Sequence, residues 1–128
     1  MSRTLEEPPF VLDAARVVRY APLDMAARGR GGVVVDGVPL DASMLRGVAI
    51  AEALLDGTIF LLNCNERWET LAASHHPDFA SAEHAAAATY GGSLGAWVDF
   101  RELTDEEQRE VQTTRAFLRD LAAEEFGG

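Results

Sequence analysis

Six side chains in this sequence could hold a metal ion or carry acid-base chemistry: Cys64, His75, His76, Asp78, Glu83 and His84. Imidazole, thiolate and carboxylate are the ligands that zinc and related ions take, and imidazole titrates near neutrality. Spacing limits what they can do together. Cys64 falls in a polar stretch, Asn63-Cys64-Asn65-Glu66-Arg67, that reads as the turn before a strand beginning at Trp68. At about 3.3 Å per residue, that strand carries His75 roughly 23 Å beyond Trp68, outside any coordination sphere that includes the thiol. Only His75 or His76 with Asp78 and His84 could converge, and that group matches no established ligand spacing. Histidines at a strand-to-helix corner also serve simply as exposed or helix-capping residues. The same histidines could act as a general base, yet no nucleophile stands at a defined spacing from them. The thiol of Cys64 reads either as a reactive group in a turn or as a small half-buried side chain.

Other chemistries are excluded more firmly. Arg28-Gly29-Arg30-Gly31-Gly32 is glycine-rich, but it opens no phosphate loop, and the chain contains no lysine to contact a phosphate. A Gly-x-Ser-x-Gly elbow is also missing. Asp and Glu number 21 against 11 basic residues, all of them Arg, for a net charge of -10. That sign opposes direct binding to nucleic acid or to an anionic membrane. The acids are dense in particular places: nine against four Arg between Asp99 and Gly128, with Glu52, Asp56, Glu66 and Glu69 near the expected hairpins. Such a face is either merely solvated or complementary to a basic protein surface.

The elements that must position these groups follow from periodicity. Residues 1–9 read as a flexible arm and 10–128 as a single α+β domain. Strands are expected at Arg16–Ala21, on both sides of Asp36-Gly37 from Val33 to Leu40, at Thr58–Leu62, at Trp68–Ser74 and at Ala96–Phe100, with a loop over 24–32. Val48–Leu55 fits a helix or a strand; Asp56-Gly57 directly after it favours the strand of a hairpin. Alternation from Trp68 places its ring in the core with Thr70, Ala72 and Ser74, and Glu69 and Leu71 opposite. Trp97 has room to pack on an alanine-rich helix from Ser81 to Tyr90, capped by Asp78 or Ser81 and ended by Gly91-Gly92. Thr104 and Glu107 form a capping box that opens a second helix to about Glu125, with Val111, Thr114, Leu118, Leu121 and Ala122 as its apolar stripe and Phe117 beside it. The expected architecture is an antiparallel β-meander of five or six strands, a short alanine-rich helix and a longer C-terminal helix.

Leu54-Leu55-Asp56-Gly57-Thr58-Ile59-Phe60-Leu61-Leu62, then Trp68-Glu69-Thr70-Leu71-Ala72, then Ser81-Ala82-Glu83 leading to Tyr90-Gly91-Gly92 and Trp97-Val98, resemble the strand-strand-helix-strand plan of small immunity proteins that neutralise bacterial polymorphic toxins. The resemblance covers about residues 48 to 100. It implies a non-catalytic module with no cofactor and no metal, whose partner is a cognate toxin domain with a basic surface. Local acid density nominates Glu66, Glu69, Asp105, Glu106 and Glu110 as partner-binding residues. The alternatives are a small enzyme or ligand-binding protein using His75, His76 and His84, and an oligomeric structural or regulatory subunit joined through a strand such as Val33–Leu40. Alanine richness and the all-Arg basic set point to a GC-rich bacterial genome. The polar start and the lone cysteine point to the cytoplasm.

Overall fold

A computed structural model describes residues 5–25, 32–35 and 37–126. The main sheet is antiparallel and curled, in the order β1 (Val11–Leu12), β2 (Ala15–Pro22), β5 (Gly47–Ala53), β6 (Ile59–Cys64) and β7 (Thr70–His76). A short strand, β8 (Val98–Asp99), pairs with the second half of β2, whose first half pairs with β1. Strands β3 (Gly32–Val35) and β4 (Val38–Asp41) form a separate two-stranded hairpin. Among the described residues two α-helices complete the α+β fold, α1 (Phe79–Tyr90) and α2 (Asp105–Phe126).

Sheet order departs from a simple meander at two places, the return of β8 to β2 and the junction of β2 with β5. β2 pairs directly with β5, so the expected hairpin leaves the sheet and packs beside it. Its Asp36 turn residue and loop residues 26–31 lie outside the described residues. Val48–Leu55 resolves as strand through Ala53, turning at Leu54–Asp56. Its alanines suit a strand buried on both faces, since Ala49 and Ala51 are fully covered on one side and Val48 and Ile50 on the other. A register shift at Val18 adds one residue to β2. The bulge turns the alternation over, so Val17 and Tyr20 serve the same cluster while Ala21 serves the opposite one.

The first face of the sheet is covered by α1 and the small hairpin. Ala82 and Ala86 are fully buried there, and their methyl groups let the helix lie close to Val48, Ile50 and Leu61. Trp97 packs against this cluster, as the sequence led one to expect. Asp78 caps α1 by accepting from Ser81 N at 2.7 Å, which holds its carboxyl below the usual range. The second face is covered by Trp68, Tyr20 and Phe100 together with Leu5. A third cluster seats α2: Val111 and Leu118 meet Leu54 and Leu103 with Phe10, Val11 and Phe100.

Three expectations need correction. Residues 5–9 do not hang free: Pro8 is buried, Leu5 packs on the second face, and polar contacts hold Glu6 and Glu7. Asn63 and Cys64 are not turn residues but the fully buried end of β6. The expected Ala96–Phe100 strand shortens to Val98–Asp99, with Gly95 N and Phe100 N on either side of it donating to the Pro22 and Val18 carbonyls.

Candidate functional site

The metal-ligand candidates are dispersed. His75 and His76, as successive strand residues, point to opposite faces; His75 lies across from Phe60 and is exposed, whereas His76 Nε2 sits 2.8 Å from Ser74 Oγ. His84 is exposed on α1, and Glu83 is drawn away by Arg19. Among the described residues, no three His, Cys, Asp or Glu side chains gather closely enough to hold a metal ion. Cys64 is fully buried beside Thr70, and burial pushes its thiol up to about 12, far from a thiolate at neutral pH.

Trp68 does reach the core, but by another route. It is not in β7; it sits in the preceding turn with φ of +61°, a left-handed conformation that a bulky residue adopts only when its surroundings enforce it. Asn65 builds that turn. Its Oδ1 accepts from Arg67 N at 2.9 Å and Glu69 N at 3.0 Å, its Nδ2 donates to Glu69 Oε1, and its carbonyl accepts from Trp68 N. The indole is then inserted over Gly47, where any Cβ would come within 2.8 Å of the ring. Indole Nε1 donates to the Glu6 carbonyl at 2.7 Å. Leu71 occupies the register shift in β7 and so joins the first-face cluster together with Ala72.

From this turn a chain of contacts runs to α2. Tyr20 meets Trp68 and Phe100 edge-on, with centroids 5.9 and 6.3 Å apart. Arg101 lies over the Phe100 ring and pairs with Glu7 at 3.3 Å and with Glu107 at 2.7 Å. Glu107 completes the expected capping box: its carboxylate accepts from Thr104 N, and Thr104 Oγ1 accepts from Glu107 N. Arg101 first, then the Thr104 amide, holds the Glu107 carboxyl down to about 2.

The five nominated acids are all exposed along this route. Glu66 and Glu69 stand on the β6–β7 turn, and Asp105, Glu106 and Glu110 on the first turns of α2. Exposed Glu6, Glu7 and Glu102 lie on the segments that connect them. The sequence nominated the two ends; the Glu6-Glu7 link between them depends on long-range contacts that no local pattern signals. Asn65 is the organiser that was missed, although an Asn four residues before a Glu in a turn is a recognisable side-chain-to-backbone device.

A cleft of about 350 Å³ opens beside α2, lined by Arg16, Glu102, Leu103, Gln108, Val111, Gln112 and Arg115. Arg115 is committed there to the Leu54 carbonyl at 3.0 Å, tying α2 to the β5–β6 turn. Fold and surface together define an acidic α+β domain with a carboxylate-rich flank. No family model matches the chain, and neither a curated protein nor a solved structure matches it. No helix among the described residues is long and apolar enough to cross a membrane.

Proposed function

We propose that this chain is a protein-binding module that covers a basic surface of its partner, in the manner of an immunity-type inhibitor of a bacterial toxin domain. The observation that carries the reading is the joining of the β6–β7 turn, the N-terminal segment and the start of α2 through Trp68, Glu6, Glu7 and Arg101. Acids fixed on a folded scaffold attract an oppositely charged partner from a distance and select it by sign. The histidines that the enzyme alternative would use are dispersed, with no metal-holding group of His, Cys, Asp or Glu among the described residues, and the Cys64 thiol is buried.

The test uses the product of the adjoining gene, which for such an inhibitor encodes the toxin. Association with it should slow steeply as salt rises, because the screening length falls to about 8 Å at physiological ionic strength. Reversal of Glu66 with Glu69, and separately of Asp105, Glu106 and Glu110, should slow association while circular dichroism shows both variants folded. Glu107 stays intact because it caps the helix. Salt-insensitive binding untouched by either set rules out docking through these acids, and no binding at all removes the inhibitor reading.

A further inference from the structure

Helix α2 carries a second stripe beside the one that packs. The inner stripe, Glu107, Val111, Thr114 and Leu118, is buried or half-buried against the body. Next to it, at spacings of three and four, run Glu106, Glu110, Thr113, Phe117, Leu121 and Glu124, all exposed. Phe117 is 60% exposed and Leu121 45%. They stand one turn apart, and Leu121, expected in the packed stripe, belongs to the outer one. Acids bracket the apolar pair at both ends, Glu106 and Glu110 on one side and Glu124 on the other, with Asp120 alongside Phe117.

We infer that this outer stripe of α2 is the apolar anchor of the docking surface, and that it takes a cationic amphipathic helix of a partner protein. The inference rests on the protein-binding reading above and names the partner's chemistry. An exposed aromatic with an aliphatic neighbour offers the desolvated centre that acids alone lack, and charge at the rim selects the partner. A helix laid along this ridge would seat its apolar row beside Phe117 and Leu121, and its Lys or Arg flanks against Glu106, Glu110, Asp120 and Glu124. Pairing with a second copy of this face is disfavoured, since it would set these acids against themselves. Of the helix acids, Glu106 and Glu110 share this face, whereas Asp105 does not.

The probe is a synthetic 21-residue peptide of leucines at helical spacing flanked by lysines, titrated with the full chain and followed by anisotropy at physiological salt. A second peptide of identical composition has its leucines scattered around the helix. The chain should bind the striped peptide at least tenfold more tightly than the scattered one. F117S with L121S should weaken it at least tenfold, whereas Q112S, on another face, should leave it unchanged; circular dichroism verifies that the helix persists. Equal binding of both peptides, indifferent to the double substitution, overturns the apolar anchor and leaves charge-driven docking standing. Failure to bind either peptide even at low salt defeats both. A dimer in sedimentation that the double substitution dissolves assigns the stripe to a second copy instead and likewise overturns the inference.

Discussion

Single side chains at two points set what the rest of the surface can do. Trp68 is 4% exposed, and its indole joins the β6–β7 turn to the N-terminal segment. Trp68→Ala should cost about 3 to 5 kcal/mol, the range for deleting a buried large aromatic, read by urea denaturation. A loss below about 1 kcal/mol would show the ring contributes no anchoring. Asn63 is fully buried in β6, where its Nδ2 donates to the Ala72 carbonyl and its Oδ1 accepts from the Tyr90 hydroxyl of α1. Tyr90→Phe removes that donor and should destabilise the chain by about 1 to 3 kcal/mol, as stranding a buried polar atom does. The role of Asn63 could not be read beforehand, because a polar residue between two hydrophobic runs looks like a turn until its partner 27 residues away is known. The histidines give a complementary expectation: with His75, His76 and His84 all changed to Ala, zinc content and the melting point should stay as they were, and a zinc-dependent transition lost in the variant would contradict the dispersal seen here.

Elements are held by devices of different visibility. The capping box of α2 was legible because Thr104 and Glu107 are three residues apart, and the same local spacing disclosed the Asp78 cap of α1. Glu107 also gives α2 a pH dependence. Its carboxyl titrates at about 2 when folded against an ordinary 4.5. The folded state therefore binds fewer protons between these values, so the contribution of Glu107 is complete above about pH 4.5 and is lost as pH falls toward 2. Helicity should decline over that window, and E107Q should flatten that part of the acid profile; an unchanged profile would dissociate the carboxylate from helix stability. The β1–β2 turn was invisible by contrast: Asp13 and Ala14 both have positive φ, and no glycine marks the place. Gly47 is the third device. A methyl group there would lie 2.7 Å from Leu5 and 2.8 Å from the Trp68 ring. Gly47→Ala should cost about 1 to 3 kcal/mol as an overpacked site, and it should free the N-terminal segment for proteolysis; a variant as stable and as resistant as the parent would show that the segment was not held by this contact.

For the whole molecule, a net charge of -10 on 128 residues sets a general term, the mutual repulsion of a predominantly anionic surface. Added sodium chloride should raise the melting temperature as it screens that repulsion, and a fall with salt would show that ion pairs such as Arg19 with Glu83 and Asp99 dominate instead. The same salt series that stabilises the chain should slow its association with a basic partner, so the two measurements separate folding from docking. What the sequence determined by itself was local or summed over the chain: the sign of the charge, the α+β class, the helix caps and the two ends of the acidic flank. Each follows from neighbours within a few residues or from composition. Only the tertiary structure decided that the 32–41 hairpin leaves the sheet, that Asn63 and Cys64 are interior, that residues 5–9 bind Trp68 and Arg101, and that Phe117 and Leu121 face solvent. Those outcomes turn on which long-range partner a strand or helix face meets, and pattern along the chain is the same whether an apolar stripe is covered or left bare.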